Sequence, residues 1–266
     1  HDGSSYYYRR AHTYVDIDVE YDMEVHDSLI LGYVRNNGPN NQNDDAIVDY
    51  DTSSKNLEVH DSTLMGKRVA GDGSYSLMTK IDSGGGEVDI QESWLGLYNS
   101  DGNFQIYETN YTLSITNSTL RTGISACLGG YGCNNTYHNS GAVITNSEIT
   151  SSVMIASGTT WHLIGPSAPS MSISGDGIAY FYNLLHASVR LDNGTSLPGV
   201  TLYTNFTNGT NYASPLTNST GHRIYSVYYK TQTSSGFSDT IDEYVINPYK
   251  EGYLISSYTI DPNEIE

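Results

Sequence analysis

Apolar and polar positions alternate along this chain in a phrase that returns six times. Its order is apolar, any, apolar, any, acid or amide, Ser, any, apolar. The copies occupy residues 23–30, 57–64, 88–95, 113–120 and 142–149, with a degraded sixth at 171–178. Their first positions are spaced by 34, 31, 25, 29 and 29 residues. Alternation at the first four positions predicts a strand with one face inward. The acid or amide and the Ser that follow predict a sharp bend, because their short side chains bond the local backbone and Asn and Asp tolerate positive φ. The apolar eighth position then turns back toward the core. A supersecondary phrase repeated at this period predicts stacked coils, since one coil alone cannot bury its apolar face. The expectation is a parallel β-solenoid with two inward columns. One runs Val25, Val59, Ile90, Ile115, Ile144 and Ile173, and the other Ile30, Leu64, Leu95, Leu120, Ile149 and Ile178.

On these residues the chain resembles the right-handed parallel β-helix repeat proteins, the pectate-lyase-like and NosD-like group, over residues 13–186. The resemblance implies a ladder of stacked side chains at the bend. Asn117 and Asn146 suit such a ladder, whereas Asp27, Asp61 and Glu92 would place like charges in one column.

After Ala187 the phrase stops and short alternating strands with turn punctuation take over. Asp192-Asn193-Gly194 is a strong turn signal, and alternation returns at 197–203, 223–229, 242–246 and 253–260. The stretch 187–266 reads as a small β-sandwich. Its Asn193-Gly194, Leu197-Pro198-Gly199-Val200 and Gly252-Tyr253 segments resemble the immunoglobulin-like, carboxypeptidase-regulatory-like modules of extracellular proteins. That likeness implies a spacer or contact surface. The expected organisation is an extended arm at 1–12, a parallel β-helix at 13–186 and an immunoglobulin-like module at 187–266, all β throughout.

Charge narrows the partners. Thirty acidic residues against 12 basic ones give a net charge of −18 in 266 residues, which repels nucleic acid and anionic membranes. No apolar run approaches the length of a transmembrane helix. The first residue is His1 rather than Met, as expected of a processed or excised form. Seven Asn-X-Ser/Thr sequons, at Asn110, Asn117, Asn134, Asn193, Asn205, Asn208 and Asn218, suggest a glycosylated exterior, although a Ser/Thr/Asn-rich chain makes some by composition alone. Cys127 and Cys133 flank five residues, three of them Gly, and an oxidising exterior would join them in a small disulfide loop. The expected location is therefore secreted or on the cell surface.

Candidate chemistry is thinner. Asp44 and Asp45 resemble the paired aspartates of the polygalacturonase-like branch, but that branch's Asn-Thr-Asp, Gly-His-Gly and Arg-Ile-Lys segments are missing from the sequence. A solvated acidic loop is the more ordinary reading, and the expectation is a protein without enzymatic activity. Calcium is the one cofactor suggested. Asp27, Asp61 and Glu92 stack as like charges that a hard cation would bridge, as would the loop containing Asp44 and Asp45. The alternative is that these acids splay into water. His26 and His60 stack beside that column, where two imidazoles could ligate a metal, although outward-facing strand histidines are the more ordinary reading. The N-terminal run Tyr6, Tyr7, Tyr8, Arg9 and Arg10 is aromatic and cationic on an acidic chain, which suits docking onto another copy. The expected function is a self-assembling extracellular structural subunit of a surface layer, sheath or filament. The alternative is a β-helix that binds or cleaves carbohydrate, with cell-surface glycans as partners.

Overall fold

The computed structural model describes residues 11–13, 15–18, 22–35, 48–51, 56–70, 79–82, 87–97, 103–107, 113–121, 125–128, 141–149, 153–155, 157–165, 171–238, 241 and 243–262. Among the described residues every regular element is a strand. None contains a helix long and apolar enough to cross a membrane. The protein is all-β. It divides into two compact units, His1–Ala179 and Tyr180–Glu266.

In the first unit the strands come in groups. A leading pair, β1 (Ala11–Thr13) and β2 (Val15–Asp18), is followed by β3 (Met23–His26), β4 (Leu29–Arg35) and β5 (Val48–Asp51). Next come β6 (Leu57–His60), β7 (Thr63–Ala70) and β8 (Thr79–Asp82), then β9 (Val88–Gln91), β10 (Trp94–Leu97) and β11 (Asn103–Tyr107). They continue with β12 (Leu113–Thr116), β13 (Thr119–Arg121) and β14 (Ser125–Leu128), then β15 (Ala142–Thr145), β16 (Glu148–Ile149) and β17 (Val153–Ile155). The last are β18 (Thr160–Ile164), β19 (Met171–Ile173) and the start of β20 (Ile178–Ser188).

Each of the five groups from β3–β5 to β15–β17 visits three sheets in turn. One sheet runs β3-β6-β9-β12-β15-β18, a second β4-β7-β10-β13-β16 with β1 on its edge, and a third β2-β5-β8-β11-β14-β17-β19. All neighbours are parallel except β1 on β4.

Register makes the phrase physical. Val25 stands opposite Val59, Val59 opposite Ile90, Ile90 opposite Ile115 and Ile115 opposite Ile144. These side chains are buried, as are Leu57, Val88, Leu113 and Ala142 one pleat earlier. Parallel strands carrying β-branched residues inward pack well against the next rung. In the second sheet Ile30, Leu64, Leu95, Leu120 and Ile149 are likewise opposed in sequence.

The sixth copy departs from the expectation. Ile173 lies in β19 opposite Ile155, in the third sheet, and is only half-buried. Ile178 opens β20, with its N–H donating to Thr159 O at 2.9 Å, and does not continue the Ile149 column. The sixth rung is instead Trp161-His162-Leu163-Ile164, in which Trp161 faces Ala142 and Leu163 faces Ile144. Gly165 follows at φ 68°, taking the left-handed bend that Asn146 takes one rung earlier. Glycine meets the same backbone demand with no side chain to announce it.

The bends follow one geometry. Asp27, Asp61, Glu92, Asn117 and Asn146 have φ of 47°, 48°, 48°, 48° and 46°. The serine after each bend then builds a ladder. Each Ser Oγ donates to the carbonyl two residues back, from Ser28 to His26 O through Ser147 to Thr145 O, at 2.6 to 2.8 Å. The same oxygen accepts the backbone N–H of the serine one rung earlier. Ser28 N reaches Ser62 Oγ at 3.1 Å, Ser62 N reaches Ser93 Oγ at 3.1 Å, Ser93 N reaches Ser118 Oγ at 3.0 Å and Ser118 N reaches Ser147 Oγ at 3.1 Å. Ser62, Ser93, Ser118 and Ser147 are 3 to 4 % exposed, so these hydroxyls satisfy N–H groups that water does not reach. A shorter ladder marks the strand entries, where Asn56 N donates to Asp22 Oδ1 and Glu87 N to Asn56 Oδ1. At the fifth entry Gly141 adopts φ 109°, and a Cβ there would lie 1.8 Å from Thr160 O.

The second unit contains the rest of β20 with β21 (Thr201–Phe206), β22 (Asn211–Ala213), β23 (His222–Thr233), β24 (Gly236–Ser238), β25 (Tyr244–Tyr249) and β26 (Tyr258–Ile260). One antiparallel sheet runs β22-β21-β25-β26, and β23 lies between β20 and β24. Leu197, Val200, Leu202 and Ile246 form the core, against which Leu185 and Ala187 of β20 and Tyr225 of β23 pack. The alternation read at 253–260 becomes strand only from Tyr258. Gly252, at φ 82°, turns the chain, Tyr253 N bonds Lys250 O, and Leu254 is left fully exposed.

Candidate functional site

Strand alternation sends the second and fourth positions of each phrase outward, and residues two apart share a face. On three successive rungs these positions hold an acid and a polar partner: Glu24 with His26, Glu58 with His60, and Asp89 with Gln91. Register sets Glu24 opposite Glu58 and Glu58 opposite Asp89, and in the same way His26 opposite His60 and His60 opposite Gln91. Two columns therefore run side by side up the outer face of the first sheet.

The contacts are close. His26 Nε2 lies 2.6 Å from Glu24 Oε1, and His60 Nε2 lies 3.4 Å from Glu58 Oε2. The two imidazoles stack with centroids 5.1 Å apart and planes 17° from parallel. One ligand atom each from Glu24, Glu58 and His60 falls within 4.8 Å of the others. On the third rung Gln91 Nε2 donates to Asp89 Oδ2 at 2.8 Å, while Asp89 Oδ1 is shielded from water and accepts no hydrogen bond. Chemically this is a donor set of carboxylates and imidazoles. It can hold protons or a cation.

The residues singled out from the sequence fall differently. Asp27, Asp61 and Glu92 are exposed at the bends, one residue beyond the imidazole column. Asn117 and Asn146 form the expected stacked pair, with Asn146 Nδ2 donating to Asn117 Oδ1 at 2.8 Å. Asn193, Asn208 and Asn218 lie exposed in turns that share one geometry. In each, Oδ1 accepts the N–H of the sequon threonine, at 3.0, 2.9 and 2.9 Å. Asn205 is half-buried in β21 and accepts from Asn211 Nδ2. Cys127 lies in β14. Cys133, Asn110, Asn134, Asp44, Asp45 and the run Tyr6, Tyr7, Tyr8, Arg9 and Arg10 lie outside the described residues. Glu24 and Glu58 went unnoticed in the sequence, although an acid at the second position of three consecutive phrases was the available signal.

The second unit concentrates its aromatic residues. Tyr180 and Tyr182 each meet Tyr228 edge to face, and Tyr212 packs between Phe206 and Tyr244. Burial, reinforced by Tyr212, Tyr180 and Tyr228, pushes the Tyr182 phenol up to about 12. Burial also raises Tyr244, whose hydroxyl donates to Tyr228 O at 2.6 Å. Lys230 Nζ sits 4.6, 4.7 and 5.2 Å from the ring centres of Phe181, Phe237 and Tyr229, and burial lowers its pKa. Tyr203, Tyr249, Tyr253 and Tyr258 remain exposed.

Compared with known proteins, the chain stands apart: no family model, no curated protein and no solved structure matches it.

Proposed function

We propose that the chain is an extracellular structural protein: a parallel β-helix followed by an immunoglobulin-like β-sandwich that assembles into a surface layer, sheath or filament. The observation that carries this reading is how the phrase is used. Its apolar positions and its serine pack or bond against the equivalent residue of the next rung, and at the bend Asn146 bonds Asn117 in the same way. Stacking of this kind leaves strand edges, such as β3 at the end of the first sheet, and such edges favour addition of further strands. Exposed tyrosines on the second unit and the Tyr6–Tyr8, Arg9, Arg10 arm supply residue types enriched at contacts between proteins. A secreted or cell-surface location, a Cys127–Cys133 bridge and glycans at the exposed sequon turns belong to the same proposal.

Electron microscopy of concentrated protein tests it. Ordered tubes, sheets or fibres are expected, and they should be lost when residues 1–10 are deleted while the melting transition stays in place. Monodisperse particles that bind or depolymerise an acidic polysaccharide would sink the structural reading. Intact mass before and after reduction and deglycosylation checks the location. A mass increment at Asn193, Asn208 and Asn218 and two hydrogens gained on reduction are expected.

A further inference from the structure

We propose that Glu24, His26, Glu58 and His60 form a binding site for one divalent transition-metal ion, with zinc as the type ion. The site is independent of the assembly reading and lies on the outer face of β3 and β6.

Register and alternation place all four residues on one face of adjacent strands, since Glu24 is opposite Glu58 and His26 opposite His60. Three of the donor atoms already fall within 4.8 Å of one another. Zinc bonds imidazole nitrogen and carboxylate oxygen at about 2.0–2.2 Å, so ligand atoms across the ion lie about 4 Å apart or less. These three atoms must draw in by about 1 Å, and His26 must turn from its contact with Glu24 Oε1 to join them, movements that exposed side chains can make.

Electrostatics supplies the motive. Glu24, Glu58 and Asp89 are directly opposite along the column, an arrangement in which like charges repel. Exposed Glu–His pairs offset little of that repulsion. One divalent cation between the first two rungs cancels both glutamates and takes lone pairs from both rings. The donor set also selects the ion. Calcium requires about six to eight oxygens, whereas two imidazoles with two carboxylates suit zinc, nickel or copper. On the third rung Gln91 replaces the imidazole and its amide already engages Asp89, which confines the site to two rungs.

The experiment is calorimetric titration of the full chain with zinc chloride in a non-coordinating buffer, with parallel calcium and magnesium titrations. One zinc per chain is expected, with no displacement by equimolar calcium. The variant His26→Gln/His60→Gln copies the third rung, whose backbone is the same, and should abolish binding. Each single variant should weaken it by at least the roughly 10–100-fold typical of losing even an outer partner of a metal site. Cobalt substituted into the unmodified chain gives a reading that no variant's folding can confuse. Intense visible bands of a four-coordinate ion with nitrogen ligands are expected. No zinc binding by the unmodified chain, undiminished binding by the double variant, displacement by calcium, or an all-oxygen octahedral cobalt spectrum would each overturn the proposal.

Discussion

A serine hydroxyl is a small group to organise a fold, yet here it does two tasks at once. Ser118 Oγ donates to Thr116 O and accepts Ser93 N, in a site only 3 % exposed. Ser118→Ala therefore strands a buried N–H as well as removing a bond, at a cost of about 1–3 kcal/mol. Thermal melts should place this variant clearly below the unmodified chain, with Ser28→Ala, at a half-buried rung, losing less. The bend residues offer the opposite change. Glu92 holds φ 48° with a side chain poorly suited to left-handed backbone, next to Asn117, which already forms a stacked pair with Asn146. Glu92→Asn relieves the conformation and brings a new acceptor beside Asn117, so a gain of about 0.5–1.5 kcal/mol is expected in denaturant unfolding. A loss of stability would show that the glutamate charge matters more than its backbone.

At the scale of the element, two isoleucines that look alike in the phrase should behave differently. Ile115 is fully buried between Ile90 and Ile144, so Ile115→Asn removes packing and buries an unpaired amide, at a cost of about 3–5 kcal/mol. Ile173 is half-buried at the end of the third sheet, and Ile173→Asn should cost less than half as much in the same unfolding measurement. Equal losses would restore the sixth copy to the Ile144 column. The comparison also shows where the sequence was readable. Five phrases could be read correctly because alternation, an acid or amide at the bend and a serine coincide in each. The sixth rung escaped because Gly165 replaces the bend's polar marker, while Met171-Ser172-Ile173 imitates the alternation. The serine ladder was equally hidden, since a turn-forming serine and a rung-bridging serine have the same sequence signature. For the candidate site, His26 and His60 were visible as stacked outward positions, but only register brought Glu24 and Glu58 against them.

Taken whole, the molecule combines a strongly acidic surface with tyrosines held neutral by burial. The folded state keeps the Tyr182 proton up to about pH 12, against an ordinary value of 10.0, and burial raises Tyr244 as well. Between those limits the folded chain binds more of these protons than the unfolded one, so the stability these tyrosines contribute is fully present below about pH 10 and is lost as pH rises through the window. Phenolate absorbance from the buried set, Tyr182 and Tyr244 among them, should appear only as the second unit unfolds. A single step near pH 10 with the fold intact would contradict the buried cluster.

The serine ladder has one more consequence, for how such a chain can change length. Each rung offers an oxygen to the rung before it and an N–H to the rung after it, so every rung is both plug and socket. Removing the residues from one serine to the next, such as 93–117, would let Ser62 N meet Ser118 Oγ with the stacking rule unbroken. Removing half that length would leave an N–H facing an apolar wall. Insertions and deletions in this unit are thus tolerated in whole turns and resisted in fractions. The spacings of 34, 31, 25 and 29 residues between the first five phrases bear the mark of that rule, varying in the connections while the bonded phrase keeps its length.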